Sequence, residues 1–206
     1  IIISIIASMT INSILRNYAK KYNILVDIPD RSRKFHKRPT PLTGGIGILI
    51  ALLVSGKLYI DLNNLTGYLP EFTFQLMVIS IPLLIIFLID DFKGLNPILR
   101  ILIQVFLSVY LIFSTGVYLE SLGDLFGFGD VKLGIFSIPM TIFCVVGIMN
   151  AFNMLDGING LCSGCAMLAL MLMGFYSGLI YDSMLVLIIG SMIGFVLFNL
   201  GVFGRK

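Results

Sequence analysis

The sequence predicts an all-α fold, a polytopic membrane helix bundle of about seven transmembrane helices. Three observations lead there. Of the 206 residues 58% are hydrophobic and only 12% are charged, whereas a water-soluble domain carries about 25% charged residues. The mean hydropathy is +1.02. The apolar residues are gathered into runs of spanning length, and the basic residues fall almost entirely on one side of those runs. A chain this apolar would leave far too much hydrocarbon in water, but in lipid the same side chains can face outward.

A helix rises about 1.5 Å per residue, so a hydrocarbon core of roughly 30 Å takes about 20 apolar residues. The runs near 1–15, 45–60, 72–89, 98–118, 133–149, 162–180 and 183–203 meet or approach that length. The first is short. The second is also short and holds Lys57 near its end, where the ammonium can snorkel to the interface. Residues 119–132, with Glu120, Asp124, Asp130 and several glycines, read as a connector, and Tyr181-Asp182 as a tight turn. There is no internal repeat and no low-complexity segment, and residues 1–206 are read as a single transmembrane domain.

The charges orient the spans. Arg16, Lys20, Lys21, Arg31, Arg33, Lys34, Lys37 and Arg38 lie between the first two runs. Such a basic loop is cytoplasmic by the positive-inside rule. Alternation then adds Lys93, Arg100, Arg205 and Lys206 to the inside, making twelve of the fourteen basic residues and leaving Lys57 and Lys132 outside. Merging or splitting a span would scramble that division. The chain is therefore expected in the cytoplasmic membrane. With its basic residues in an inter-span loop, it is not expected to bind nucleic acid. Its cysteines, Cys144, Cys162 and Cys165, are too few for a disulfide scaffold. The Cys162-x-x-Cys165 pair opens an apolar run with no second ligand pair, which points to helix packing rather than metal.

Three inside segments carry the chemistry: Asp27–Gly45, the stretch around Asp90-Asp91, and Asn150–Leu161. Adjacent carboxylates at a membrane edge repel each other and lose solvation, and either a divalent cation or a neighbouring Lys93 or Arg100 would relieve them. Arg100, near the start of the next span, wants an anionic partner, which a phosphate or one of the two aspartates could supply. Asn150, Asn153, Asp156 and Asn159 recur every third residue, with Gly157 and Gly160 arguing for an irregular turn. Asparagine both donates and accepts, so such a run suits a metal, a phosphate or a nucleobase edge, with helix capping as the plainer alternative. His36 sits among Arg33, Lys34, Lys37 and Arg38, a cluster that attracts phosphates or simply sets topology against anionic lipid.

Together these residues resemble the polyprenyl-phosphate N-acetylhexosamine-1-phosphate transferases, the glycosyltransferase 4 family. The pattern RK-x-H-x-x-P-x-P-x-x-GG stands as Arg33, Lys34, His36, Pro39, Pro41, Gly44 and Gly45. The DD motif is Asp90-Asp91, and N-x-x-N-x-x-DG-x-x-GL is Asn150, Asn153, Asp156, Gly157, Gly160 and Leu161. The likeness covers the whole chain and is strongest to the bacterial members that act on undecaprenyl phosphate. It implies transfer of a sugar 1-phosphate, GlcNAc-1-phosphate as first choice, from a UDP-sugar to undecaprenyl phosphate. UMP would be released, and the lipid-linked product would serve cell-envelope polysaccharides such as lipopolysaccharide. The resemblance implies magnesium as cofactor, with manganese open as a substitute. UDP-sugar, undecaprenyl phosphate and the bilayer are the implied partners, and a homodimer is left open.

By the same resemblance Asp90, Asp91 and Asp156 are catalytic, the first two orienting or deprotonating the lipid phosphate. Arg100 contacts substrate phosphates, Asn159 the uracil, and Asn150, Lys34 and His36 also bind substrate. Asn153 and Asp91 stand at the metal. Asn159 departs from the aspartate of many bacterial members. The family also continues with an aspartate-bearing loop and a histidine-rich loop. Both are expected beyond Lys206, since the chain opens on Ile1 and closes straight after an apolar run. It reads as the N-terminal part of a longer protein and is expected to be inactive alone. A transporter, the same chemistry on another UDP-N-acetylhexosamine, a CDP-alcohol phosphotransferase and an inert scaffold are the alternatives. The acids at span ends weigh against the transporter. Asp156-Gly157 lacks the Ala-Arg pair that a CDP-alcohol enzyme needs.

Overall fold

The computed structural model describes residues 1–27, 40–64, 68–155 and 160–200. Among these residues there are seven α-helices: α1 (Ile2–Tyr22), α2 (Gly44–Asn63), α3 (Tyr68–Lys93), α4 (Pro97–Thr115), α5 (Ser137–Leu155), α6 (Leu161–Tyr176) and α7 (Ser183–Asn199). A two-stranded antiparallel pair, β1 (Val26–Asp27) and β2 (Thr40–Pro41), and one 3-10 turn, Gly134–Phe136, complete them. Each expected run lies on its own helix. By length and composition Gly44–Asn63, Pro97–Thr115 and Gly134–Leu155 can cross a membrane, and Leu161–Tyr176 and Ser183–Asn199 are shorter apolar helices.

α1, α2, α3 and α5 run on past their apolar runs, whereas α4 stops at Thr115 and α6 at Tyr176, short of theirs. α1 continues through Arg16, Lys20 and Lys21, residues read above as loop, and stops where Asn23 turns left-handed at φ 53°. Basic residues are good helix formers and complement the negative C-terminal end of the helix dipole, so the helix outlasts its apolar stretch. Likewise α3 carries Asp90 and Asp91 inside its last turn. α5 runs to Leu155, so Asn150 and Asn153 are helical rather than part of a loop. Lys57 lies within α2 and pairs with Asp61 at 2.8 Å, one turn on and exposed.

The chain falls into two compact units. The first holds α1, α2, α3 as far as Phe92, α6 and α7, with α1 packed on both α7 and α2. Its close approaches are made by small residues. A methyl group at Gly194 of α7 would stand 2.5 Å from the Ile5 carbonyl oxygen and 2.7 Å from Ser8 Cβ. At Gly190 it would collide with Ser4, and at Gly47 of α2 with Asn12. Ser4, Ser8 and Asn12 recur every fourth residue along one face of α1, and all are buried. Asn12 donates to the Ser8 carbonyl at 2.8 Å. This is the packing that lipid favours, where helices have no hydrophobic drive to associate and approach closely through small and polar residues. At the lower end of α1, β1 pairs with β2, setting Val26 opposite Pro41 and Asp27 opposite Thr40.

The second unit holds α4, α5 and the connection between them. Asn96 caps α4, its side-chain oxygen accepting from Ile98 N at 2.9 Å, with Pro97 in the first turn. Gly116 ends the helix at φ 68°. The connection doubles back through Leu122 N to Val131 O at 3.0 Å and Val131 N to Gly123 O at 3.1 Å. Leu119 N donates to Thr141 Oγ1 of α5 at 2.9 Å.

Leu52, Met184 and Leu187 form a small apolar core, but beside it burial in both units departs from that of a protein in water. The largest fully buried side chains are Gln104, Asn12, Ser4, Ser8, Ser55, Ser108 and Ser191, whereas Phe106, Phe113 and Phe143 are over two-thirds exposed. In water such outward phenylalanines would be costly, while in hydrocarbon they are at home.

Candidate functional site at the polar helix ends

The best-defined polar cluster is in the second unit. Asn150 of α5 donates from Nδ2 to Gln104 Oε1 of α4 at 2.7 Å and to its own helix at Val146 O, 2.8 Å away. This bond joins the first half of α4 to the last half of α5, while Leu119, just past the end of α4, donates to Thr141 near the start of α5, so the two helices run antiparallel. Arg100 lies one turn before Gln104 on α4, and Asn153 nearly one turn beyond Asn150 on α5. Each step moves about 5 Å along its helix toward the same end of the unit. Arg100 and Asn150 are half-buried and Asn153 is exposed.

That end carries the start of α4, where Pro97 has no N–H and Asn96 already takes the Ile98 amide, the Arg100 side chain, and the polar C-terminal end of α5. Gln104 was not singled out in the sequence. Its signal was a lone amide in the apolar run Ile101–Leu107, where an uncharged polar residue must find a partner inside the protein.

In the first unit Asp90 and Asp91 occupy the C-terminal turn of α3, Asp90 half-buried and Asp91 exposed. Two carboxylates there face the negative end of the helix dipole as well as each other, so the position is favourable only with cationic company. Lys93 in the same turn is one such group. A magnesium ion is another, and the donors suit it. Aspartate oxygens are hard oxygen ligands, and magnesium is usually held by only one or two carboxylates together with substrate phosphates and water. Among the described residues no three His, Cys, Asp or Glu side chains gather into a metal-holding group.

Lys34, His36, Asp156 and Asn159 lie outside the described residues. The β1–β2 pair closes the ends of the segment that carries Lys34 and His36. Gly160, at φ 79°, starts α6 immediately after the segment with Asp156 and Asn159. Cys144, Cys162 and Cys165 lie on α5 and α6 and form no disulfide among the described residues.

Outward apolar faces, small-residue helix contacts and polar helix ends define a protein of the membrane-helix class. Residues 73–202 match the model of glycosyl transferase family 4, and the chain belongs to that family. It is 32% identical over 210 residues to the undecaprenyl-phosphate alpha-N-acetylglucosaminyl 1-phosphate transferase of Yersinia pestis, covering 97% of this chain and 53% of that protein. The protein of the same name from Escherichia coli strain K12 is 30% identical over 93% of this chain and 51% of its own length. That from Thermotoga maritima is 33% identical over 82% and 49%. The chain thus spans about half the length of the curated relatives it matches.

Proposed function

We propose that the full-length protein transfers a sugar 1-phosphate, GlcNAc-1-phosphate by preference, from a UDP-sugar to undecaprenyl phosphate at the cytoplasmic face of the bacterial membrane. UMP and a lipid-linked sugar diphosphate are the products. The observation that carries this reading is the Gln104–Asn150 bond, which gives Arg100 and the asparagine end of α5 a common end of one helix pair. The family and the names of its relatives support the same reaction.

Seven spans in strict alternation give the end of α3, the start of α4, the end of α5 and the start of α6 one side of the membrane. That side is cytoplasmic by the charge division described above. Only a site at this edge meets both substrates, since the polyprenyl tail stays in hydrocarbon and the nucleotide arrives from water. All seven helices then form one transmembrane domain, itself part of a longer family domain.

The chemistry follows. An oxygen of the lipid phosphate attacks the β-phosphorus of the UDP-sugar. The bond from that phosphorus to the bridging oxygen breaks, and UMP leaves with the electron pair. Phosphoryl transfer of this kind is governed by positioning and by neutralising charge. Asp90 and Asp91 orient the lipid phosphate and take its proton if it arrives protonated. Arg100 binds the diphosphate, with Lys34 and His36 adding positive charge. Asn150 and Asn159 bind the nucleotide sugar, Asn159 at the uracil, and Asp156 completes the carboxylates. Asn153 and Asp91 would hold magnesium. Bound there, the ion would neutralise the charge on the phosphate oxygens.

The test is UMP release by the full-length protein supplied with UDP-GlcNAc, undecaprenyl phosphate and magnesium. Release that depends on the lipid acceptor is the expected result. Uptake of nucleotide sugar into vesicles without UMP would favour a transporter, and release from another UDP-N-acetylhexosamine alone would change the sugar.

A further inference from the structure

A side-chain amide has two chemically different ends, and its neighbours decide which end a ligand meets. For Asn150 the neighbours leave no choice. The Val146 carbonyl can only accept, so the atom 2.8 Å from it is the amide nitrogen of Asn150. The other N–H of that nitrogen reaches Gln104 at 2.7 Å, so Gln104 must turn its carbonyl oxygen toward it. A backbone carbonyl thus fixes the orientation of both amides. The chain runs from Asn150 Nδ2 to Val146 O on one side and to Gln104 Oε1 on the other. Both N–H groups of Asn150 are then engaged, and only Oδ1 is left to serve a ligand.

We propose that Gln104 is a positioning residue that fixes Asn150 as an acceptor. Asn150 then takes a hydrogen bond from a hydroxyl or N–H of the nucleotide sugar, or meets a cation, and does not donate to phosphate. Phosphate oxygens at this end fall to Arg100, which can only donate. The position of Gln104 fits this work. It is fully buried, and Ser108 Oγ grips its backbone carbonyl at 2.7 Å. Gln104 Nε2 is also buried and meets no acceptor among the described residues. A residue whose only purpose was packing would do better as an apolar side chain of the same length. The inference rests on the reading of Asn150 as a substrate contact.

The experiment measures kcat and KM for UMP release, and the thermal midpoint in detergent, for the full-length protein and three variants. Gln104→Met keeps the length and removes the acceptor. Gln104→Glu keeps an oxygen for Asn150 Nδ2. Asn150→Asp keeps an acceptor but gives up the clamped donors. A partner one layer behind a ligand typically changes activity by about 10–100-fold. Gln104→Met is expected to lower kcat/KM by that factor, a larger loss than the modest fall in thermal midpoint from the unpaired Asn150 N–H would produce. Gln104→Glu is expected to recover most of the loss. Wild-type kcat/KM in Gln104→Met would overturn the inference. So would equal losses in the Met and Glu variants that track a lowered midpoint, which is what a merely structural role gives. If the wild-type protein releases no UMP at all, the proposed reaction fails, and this inference with it. Failure of the variants alone leaves the reaction standing.

Discussion

Asn150 of α5 and Gln104 of α4 share a hydrogen bond of 2.7 Å between side chains that are 46 residues apart in sequence. That bond fixes the register in which the two antiparallel helices meet. It brings an arginine and an asparagine, each about one turn further along, to one end of the pair. The chemistry proposed for this protein depends on that end.

Arg100 should act on substrate affinity. Hydrogen bonds to charged groups contribute about 1.5–3 kcal/mol, or roughly 10–100-fold. Arg100→Ala in the full-length protein is expected to raise KM for the UDP-sugar by such a factor. Arg100→Lys keeps the charge but loses the forked geometry, and should fall between the two. Steady-state UMP release against UDP-sugar concentration checks this. An unchanged KM in Arg100→Ala would separate the residue from the diphosphate.

Asp91 should act on turnover. Asp91→Asn keeps the shape of the helix end and removes one charge, and is expected to reduce kcat by at least about 100-fold, a typical scale for a positioned acid–base group. Expression and detergent stability should be unchanged, because the substitution also relieves repulsion from Asp90 and from the helix dipole. UMP release beside a thermal melt reads both quantities.

Magnesium removal should abolish the reaction without unfolding the helices. Chelation is expected to bring UMP release to background, and added magnesium or manganese to restore it, while helical circular dichroism stays constant. The carboxylates and asparagines sit at helix ends, and the helix packing in the first unit is made by Ser4, Ser8, Asn12, Gly190 and Gly194.

Those small residues give a prediction on stability. Gly194→Leu would drive a side chain into the Ile5 carbonyl and Ser8. Overpacking of this kind costs about 1–3 kcal/mol, read as a lowered thermal midpoint. Lys57→Ala removes only an exposed pair on α2. It should stay within about 0.5 kcal/mol of wild type.

Helix existence was plain in the sequence, because a bilayer demands long apolar runs, and each run found became one helix. Helix ends were not plain. The apolar count stops near the edge of the hydrocarbon, but backbone hydrogen bonding carries α1 on to Tyr22, α3 on to Lys93 and α5 on to Leu155. Asp90, Asp91, Arg100, Asn150 and Asn153 stand out because charge or recurring amides at span ends are costly; the structure places them near helix ends, and their functional roles are proposals. Gln104 has no charge and no motif around it. Its importance comes from a partner on another helix, which spacing along one helix does not reveal. Lys34, His36, Asp156 and Asn159 keep the roles that the resemblance implies, as proposals.

The proposed reaction requires Asp91 and Asn153 on the cytoplasmic side of the membrane, close enough to share one ion. Asp91→Cys and Asn153→Cys, introduced singly and together into the full-length protein with Cys144, Cys162 and Cys165 replaced by serine, measure that directly. Both single cysteines should react with a membrane-impermeant maleimide only from the cytoplasmic side of sealed vesicles. The pair should be bridged by a short bifunctional thiol reagent. Labelling from opposite sides, or a pair that only long linkers can bridge, would contradict it.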